Sequence, residues 1–354
     1  MPLPVQTPVG AADPRERRVY VWWFAGLAFL LALGLFCLLV VGPLLEVHRA
    51  IRSIKDRPYV PNLPEEDMKA FNSQAVTELG GPRKALARLR LYLRMPRWVA
   101  PDQDTAIGLL AYCGQPALPV LRNLLADEAW VVRISAIDAL AQMGPQAASA
   151  VPALAALTQA ADKDERYASF RALGAIGVPA VPALVEALER PAADANVRYQ
   201  AVVALSRIGP GAARAVPALL RSMSNSCGEV RWYSVLALGQ IGKAAEPAIP
   251  ALIDALNIDY PNADMRSVLC GTLGRIGCAR PEVITSLRQS LQDVDAAVRC
   301  QAAKALGRIG PAAREAIPAL EEMVAGDTDG AACLTAAEAI VKIHGETARA
   351  EPGG

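Results

Sequence analysis

Histidine is nearly missing from this sequence: His48 and His344 are the only two in 354 residues, and they stand far apart. So separated a pair argues against histidine metal sites, Ser-His-Asp hydrolases and Cys-His nucleophiles. Aromatic residues are scarce, at 5%, and charge is balanced to a formal +1. That balance excludes a global polybasic or polyacidic character that would attract nucleic acid or steer a charged substrate. The seven cysteines include no CxxC pair and no zinc-type spacing. They read as buried free thiols, since Cys behaves as a small hydrophobe, and an odd count without framework spacing points to a reducing compartment. No P-loop, GxSxG, HExxH or paired-carboxylate pattern stands in a supporting context. No catalytic residue, metal, cofactor or small-molecule substrate is expected.

What is abundant is one repeated pattern. Apolar residues make up 53% of the chain, and glycines recur at Gly144, Gly177, Gly209, Gly242, Gly277 and Gly310, with Gly114 and Gly345 as looser ends. Their separations are 33, 32, 33, 35 and 33 residues. Eleven residues before each of the six lies an arginine: Arg133, Arg166, Arg198, Arg231, Arg266 and Arg299. A period in this range marks stacked supersecondary units, so the fold predicted is all-α, an α-solenoid of antiparallel helix pairs. Within the copy over 192–225, Val197, Ala201, Ala204, Leu205 and Ile208 recur at helical spacing and form the buried stripe of the first helix. Gly209 closes that helix in the left-handed conformation, Pro210 forbids continuation, and Pro217 sits in the first turn of the second helix. The sixth copy departs, with Cys278-Ala279-Arg280-Pro281 in place of the usual turn.

Six copies of V-R-x-x-A-x-x-A-L-x-x-I-G, with small variations, resemble the HEAT repeat family in the short form seen in phycobilisome-lyase-type proteins. The resemblance covers about 102–345. It implies a scaffold for protein–protein interaction, without catalysis. Two alternatives stay open: a bilin-lyase-like enzyme subunit or chaperone, and a nucleic-acid-binding helical-repeat protein. The second needs a basic concave face, whereas the chain beyond residue 60 has 29 basic residues against 31 acidic.

From Val19 to Leu45 run 27 residues without a charge. As a helix this spans roughly 40 Å, enough for the hydrocarbon core of a bilayer. The expected organisation is a polar tail over 1–18, a transmembrane helix over 19–45 and a proline-rich juxtamembrane linker over 46–64. A divergent capping unit over 65–101, the solenoid over 102–345 and a disordered tail over 346–354 follow. The protein is thus expected at a membrane as a single-pass anchor. Three basic residues on the near side and four on the far side leave its orientation open. In the capping unit Arg83, Arg90 and Arg94 form a stripe, read either as a solvated face or as a contact for anionic lipid.

Two columns recur across the copies. The arginines each follow an acidic residue (Asp127, Asp164, Asp194, Glu229, Asp264, Asp295), and are read as a structural ladder rather than an anion site. One residue later stand Tyr167, Tyr199 and Trp232 in consecutive copies, with Trp130 and Tyr233 close by. Tyr and Trp are enriched in binding hot spots, so Tyr167, Tyr199, Trp232 and Tyr233 are candidate contacts for a protein partner, against the alternative of packing between copies.

Overall fold

The computed structural model describes residues 32–33, 35–55, 65–95, 101–191, 193–225, 228–257 and 262–345. No strand occurs among the described residues. The tails over 1–18 and 346–354, the start of the apolar run and the proline strut over 57–64 lie outside them. The chain divides into two compact units, Met1–Pro116 and Ala117–Gly354.

In the first unit a π-helical turn, Cys37–Val41, runs directly into α1 (Gly42–Lys55). Three more helices follow: α2 (Glu65–Glu78), α3 (Pro82–Leu93) and α4 (Gln103–Leu110). The transmembrane helix over 19–45, and the membrane localisation drawn from it, must be corrected. Among the described residues no helix is long and apolar enough to cross a membrane. Pro43 stands at the second position of α1, directly after the π-helical turn. The end of the apolar run, from Gly42 to Leu45, is the first turn of an amphipathic helix. Val47, Ala50 and Ile51 are buried, and Glu46 pairs with Arg88 at 2.7 Å. Lys55, at the other end of α1, pairs with Asp102. On α3, Leu86, Leu89 and Tyr92 face the core, while Arg83, Arg90 and Arg94 are exposed.

The second unit begins with α5 (Leu118–Leu124) and then repeats a long first helix and a shorter second one. The first helices are α6 (Trp130–Met143), α8 (Lys163–Ile176), α10 (Ala195–Ile208), α12 (Gly228–Ile241), α14 (Ala263–Ile276), α16 (Ala296–Ile309) and α18 (Gly330–His344). Between them lie α7 (Val151–Leu157), α9 (Val181–Glu189), α11 (Val216–Asn225), α13 (Ile249–Asn257), α15 (Pro281–Ser290) and α17 (Ile317–Gly326). Each first helix packs on the first helix of the next copy, which makes the unit a solenoid. The leucines before the closing glycines (Leu140, Leu173, Leu205, Leu238, Leu273 and Leu306) are fully buried.

The turns differ from the sequence expectation in one respect. Gly209 has φ 62 but ψ −131, so it is not left-handed helical; it occupies a quadrant essentially reserved for glycine. This conformation swings the chain into a 3₁₀ segment, Gly209–Ala215, before α11. Gly277, in the divergent copy, is left-handed at φ 66 and ψ 28, and no 3₁₀ segment follows it. Asparagine tolerates the left-handed region but not the other quadrant. We therefore expect Gly277→Asn to leave the urea midpoint almost unchanged. Gly209→Asn should cost about 1–3 kcal/mol. Equal losses would contradict this assignment of turn types.

Candidate functional site

An aspartate stands at the N-terminus of α8, α10, α16 and α18. Asp162 accepts from the N–H groups of Asp164 and Glu165, Asp194 from Val197, and Asp295 from Ala297 and Val298. These acids thus cap helices, satisfying N–H groups that have no partner within the helix.

The arginine column turns instead toward the preceding turn and the following copy. Arg166 donates to the carbonyls of Ala160 and Ala161 at 2.7 and 2.9 Å, and Arg133 to those of Asp127 and Glu128 at 2.7 and 2.9 Å. Arg198 donates to the carbonyls of Arg190 and Pro191, and Arg231 to that of Met223. Carboxylate partners come from the next copy: Glu165 for Arg133, Asp293 for Arg266 at 2.7 Å and Asp327 for Arg299 at 2.6 Å. In the last copy Cys333 stands in the arginine position, and its thiol lies 3.5 Å from the carbonyl of Asp327. Most of these guanidinium groups thus hold carbonyls of the loop that leads into their own helix, and Arg133, Arg266 and Arg299 also brace the copy that follows.

The aromatic column sits one residue on. Tyr167 is 56% exposed, and Trp130 is 57% exposed at the start of α6. Tyr199, Trp232 and Tyr233 are half-buried. The rings of Tyr199 and Tyr233 meet edge to face, with centroids 4.7 Å apart and planes at 87°, an arrangement favoured by the ring quadrupoles. Tyr233, two residues after its arginine, is therefore the packing partner of Tyr199 across copies. A hydrogen bond with Tyr233, then burial, pushes the Tyr199 phenol up to about 12, and Glu229 and Tyr167 add to the effect through their charges. The column thus joins a packed pair to the more open rings of Tyr167 and Trp130.

Two acids were not singled out as part of this column from sequence. Asp164 and Glu229 stand three residues before Tyr167 and Trp232, which places acid and ring on one helix face. The signal was visible as Asp164-Glu165-Arg166-Tyr167 and Glu229-Val230-Arg231-Trp232. Both acids had been assigned to the arginines, but among the described residues neither makes an ion pair.

Elsewhere the surface offers less. A polar, largely open cavity of about 330 Å³ lies beside the Arg266–Asp293 pair, lined also by Asn257, Ser286, Gln289 and Ser290. It falls where α15 lacks the Pro-Ala-Leu start of the other copies. Cys113 and Cys270 are buried, which pushes both thiols up to about 11 and keeps them unreactive. Among the described residues no group of His, Cys, Asp and Glu could hold a metal ion.

No curated protein matches the chain in sequence. Solved structures resemble it at low identity. YibA of Escherichia coli is 19% identical with a TM-score of 0.38, over 63% of this chain and 91% of that one. The CpcE–CpcF complex of phycocyanin lyase from Nostoc sp. is 20% identical with a TM-score of 0.36, over 81% of this chain and 100% of that one. A mutant of Kap121p is 15% identical with a TM-score of 0.48, over 80% of this chain but only 35% of that one. At these scores the likenesses carry no functional argument. The family model for HEAT repeats matches residues 100–174, 151–226, 181–261 and 249–341. Those matches cover more than half of the chain and fall on the copies whose arginines, glycines and prolines build the solenoid, so this chain belongs to the HEAT-repeat family.

Proposed function

We propose that the protein is a non-catalytic interaction scaffold, and that its partner docks on the first-helix face bearing Tyr167, Tyr199, Trp232 and Tyr233. The observation that carries this reading is the 56% exposure of Tyr167 beside the half-buried Tyr199–Tyr233 pair. Aromatic side chains are few in this chain, and large rigid rings give much contact area at little entropic cost. A solenoid offers such a row on a regular pitch rather than enclosing a pocket. The half-buried pair would hold its rings in place before the partner arrives, which lowers the ordering cost of docking.

The test places a photocrosslinking amino acid at Tyr167 and, separately, at the exposed Glu186 and Glu322 on second helices. A discrete adduct formed at Tyr167 and absent at the two other positions is expected. Adducts of the same size at all three positions, or none at Tyr167, would rule out the stripe.

A further inference from the structure

The geometry points to a more specific occupant for this face: an extended peptide segment of the partner whose arginine side chains lie over the aromatic rings and reach Asp164 and Glu229. This inference rests on the docking face proposed above and adds the charge of what docks there.

Three observations converge. First, the row combines ring and acid twice, as Asp164 with Tyr167 on α8 and Glu229 with Trp232 on α12, each at a spacing of three residues on a helix. An acid and a ring on one helix face can contact one cation together. Second, both carboxylates are exposed and, among the described residues, form no ion pair, although arginines stand two residues away in each copy. Arg166 is turned to the carbonyls of Ala160 and Ala161, away from this role. Third, the Tyr199–Tyr233 pair lies on α10 and α12, so the row of rings continues across the intervening copy, and Glu229 and Tyr167 both act electrostatically on Tyr199.

A cation over a Trp or Tyr face is attracted by the ring quadrupole, and an unpaired carboxylate beside it adds a charge-assisted hydrogen bond. Arginine fits better than lysine because its planar fork can stack on a ring and bond a carboxylate at once. The pitch sets the spacing. Packed helices lie about 8–10 Å apart, so α8 and α12 are separated by roughly 20 Å. An extended chain rises about 3.3 Å per residue, so arginines about six residues apart would reach both acids.

The experiment titrates the full chain with a ten-residue peptide carrying two arginines six residues apart, and with the same peptide carrying citrulline, which keeps the shape without the charge. Binding is read by tryptophan fluorescence and confirmed by calorimetry. The arginine peptide should bind about tenfold more tightly than the citrulline peptide. The double variant Asp164→Asn with Glu229→Gln should lose most of that difference. Asp264→Asn, in a copy with Ser267 at the aromatic position, should keep it. Equal binding of the two peptides would overturn the inference, and so would equal losses in the double variant and in Asp264→Asn. The variants sit at exposed positions, and unchanged circular dichroism confirms that each is folded. The crosslinking result is read separately. An adduct at Tyr167 together with equal peptide affinities would leave the docking face standing and refute only the cation.

Discussion

Replacing Gly274 by alanine should destabilise the C-terminal copies by about 3 kcal/mol, the upper range for overpacking a tight contact. A Cβ at this position would stand 2.5 Å from the Cα of Ala305 on the neighbouring first helix, and backbone cannot yield as a flexible side chain can. The same column of small residues recurs, with graded room. A Cβ at Gly307 would meet the Cα of Ala339 at 3.0 Å, and one at Gly174 the Cα of Ala204 at 3.4 Å. Alanine gains about 1 kcal/mol over glycine in a helix interior. The sign should therefore change along the series: Gly274→Ala loses most, Gly307→Ala loses less, and Gly174→Ala is neutral or slightly stabilising. Urea unfolding followed by circular dichroism reads the order. Because each copy contacts only its neighbours, Gly274→Ala should also split the transition, with the C-terminal copies melting first. A single cooperative transition with Gly174→Ala as the worst variant would refute the packing account.

Arg299→Ala should cost about 3 kcal/mol at neutral pH, the lower end for breaking a buried pair. The side chain of Asp327 is only 4% exposed and that of Arg299 14%, and two parallel hydrogen bonds of 2.7 and 2.6 Å join them. Arg299 also holds the carbonyls of Asp293 and Val294, so its loss strips a bridge between the end of one copy and the start of the next. Arg299→Lys should recover little, because an ammonium cannot reproduce the fork.

The pair also fixes a pH dependence. The hydrogen bond from Arg299, then one from the Asp329 N–H, holds the Asp327 carboxyl below its usual value. At Asp293 burial pushes upward, but hydrogen bonds from Arg266 and the Asp295 N–H outweigh it, so this carboxyl is lowered too. A carboxyl depressed in the folded state contributes stability in full above its unfolded value of about 3.9, and loses it as pH falls through the folded value. The wild-type protein should therefore lose stability on acidification below about pH 4. Arg299→Ala should lose less, and the gap between the two proteins should narrow from pH 7 to pH 3. A gap that widens would show that the pair does not govern acid stability.

Gly209 and Arg299 show where reading from sequence stops. That a glycine must follow the first helix was plain from the period, because only positive φ ends a helix so sharply. Its ψ was not, because the choice between the left-handed region and the glycine-only quadrant depends on whether a 3₁₀ segment follows. That arginines serve structure was also readable, but the carboxylates chosen were the near ones in sequence. Of those acids only Asp194 and Asp295 cap their local helices, and Asp293 and Asp327 answer Arg266 and Arg299 from 27 and 28 residues away. The apolar run over 19–45 read as one span by length alone, yet its described end is an amphipathic helix whose buried face is decided by α2, α3 and α4.

The sequence by itself determined the period, the helix pairs, the glycine and proline positions and the buried stripe, because these follow from local propensity and a repeating hydrophobic pattern. Only the tertiary structure decided which carboxylate meets which arginine, that Tyr199 packs on Tyr233, and that Asp164 and Glu229 are exposed on the face of the aromatic column. Such pairings join residues about one repeat apart, and their energy depends on distance and burial that no single window of sequence contains.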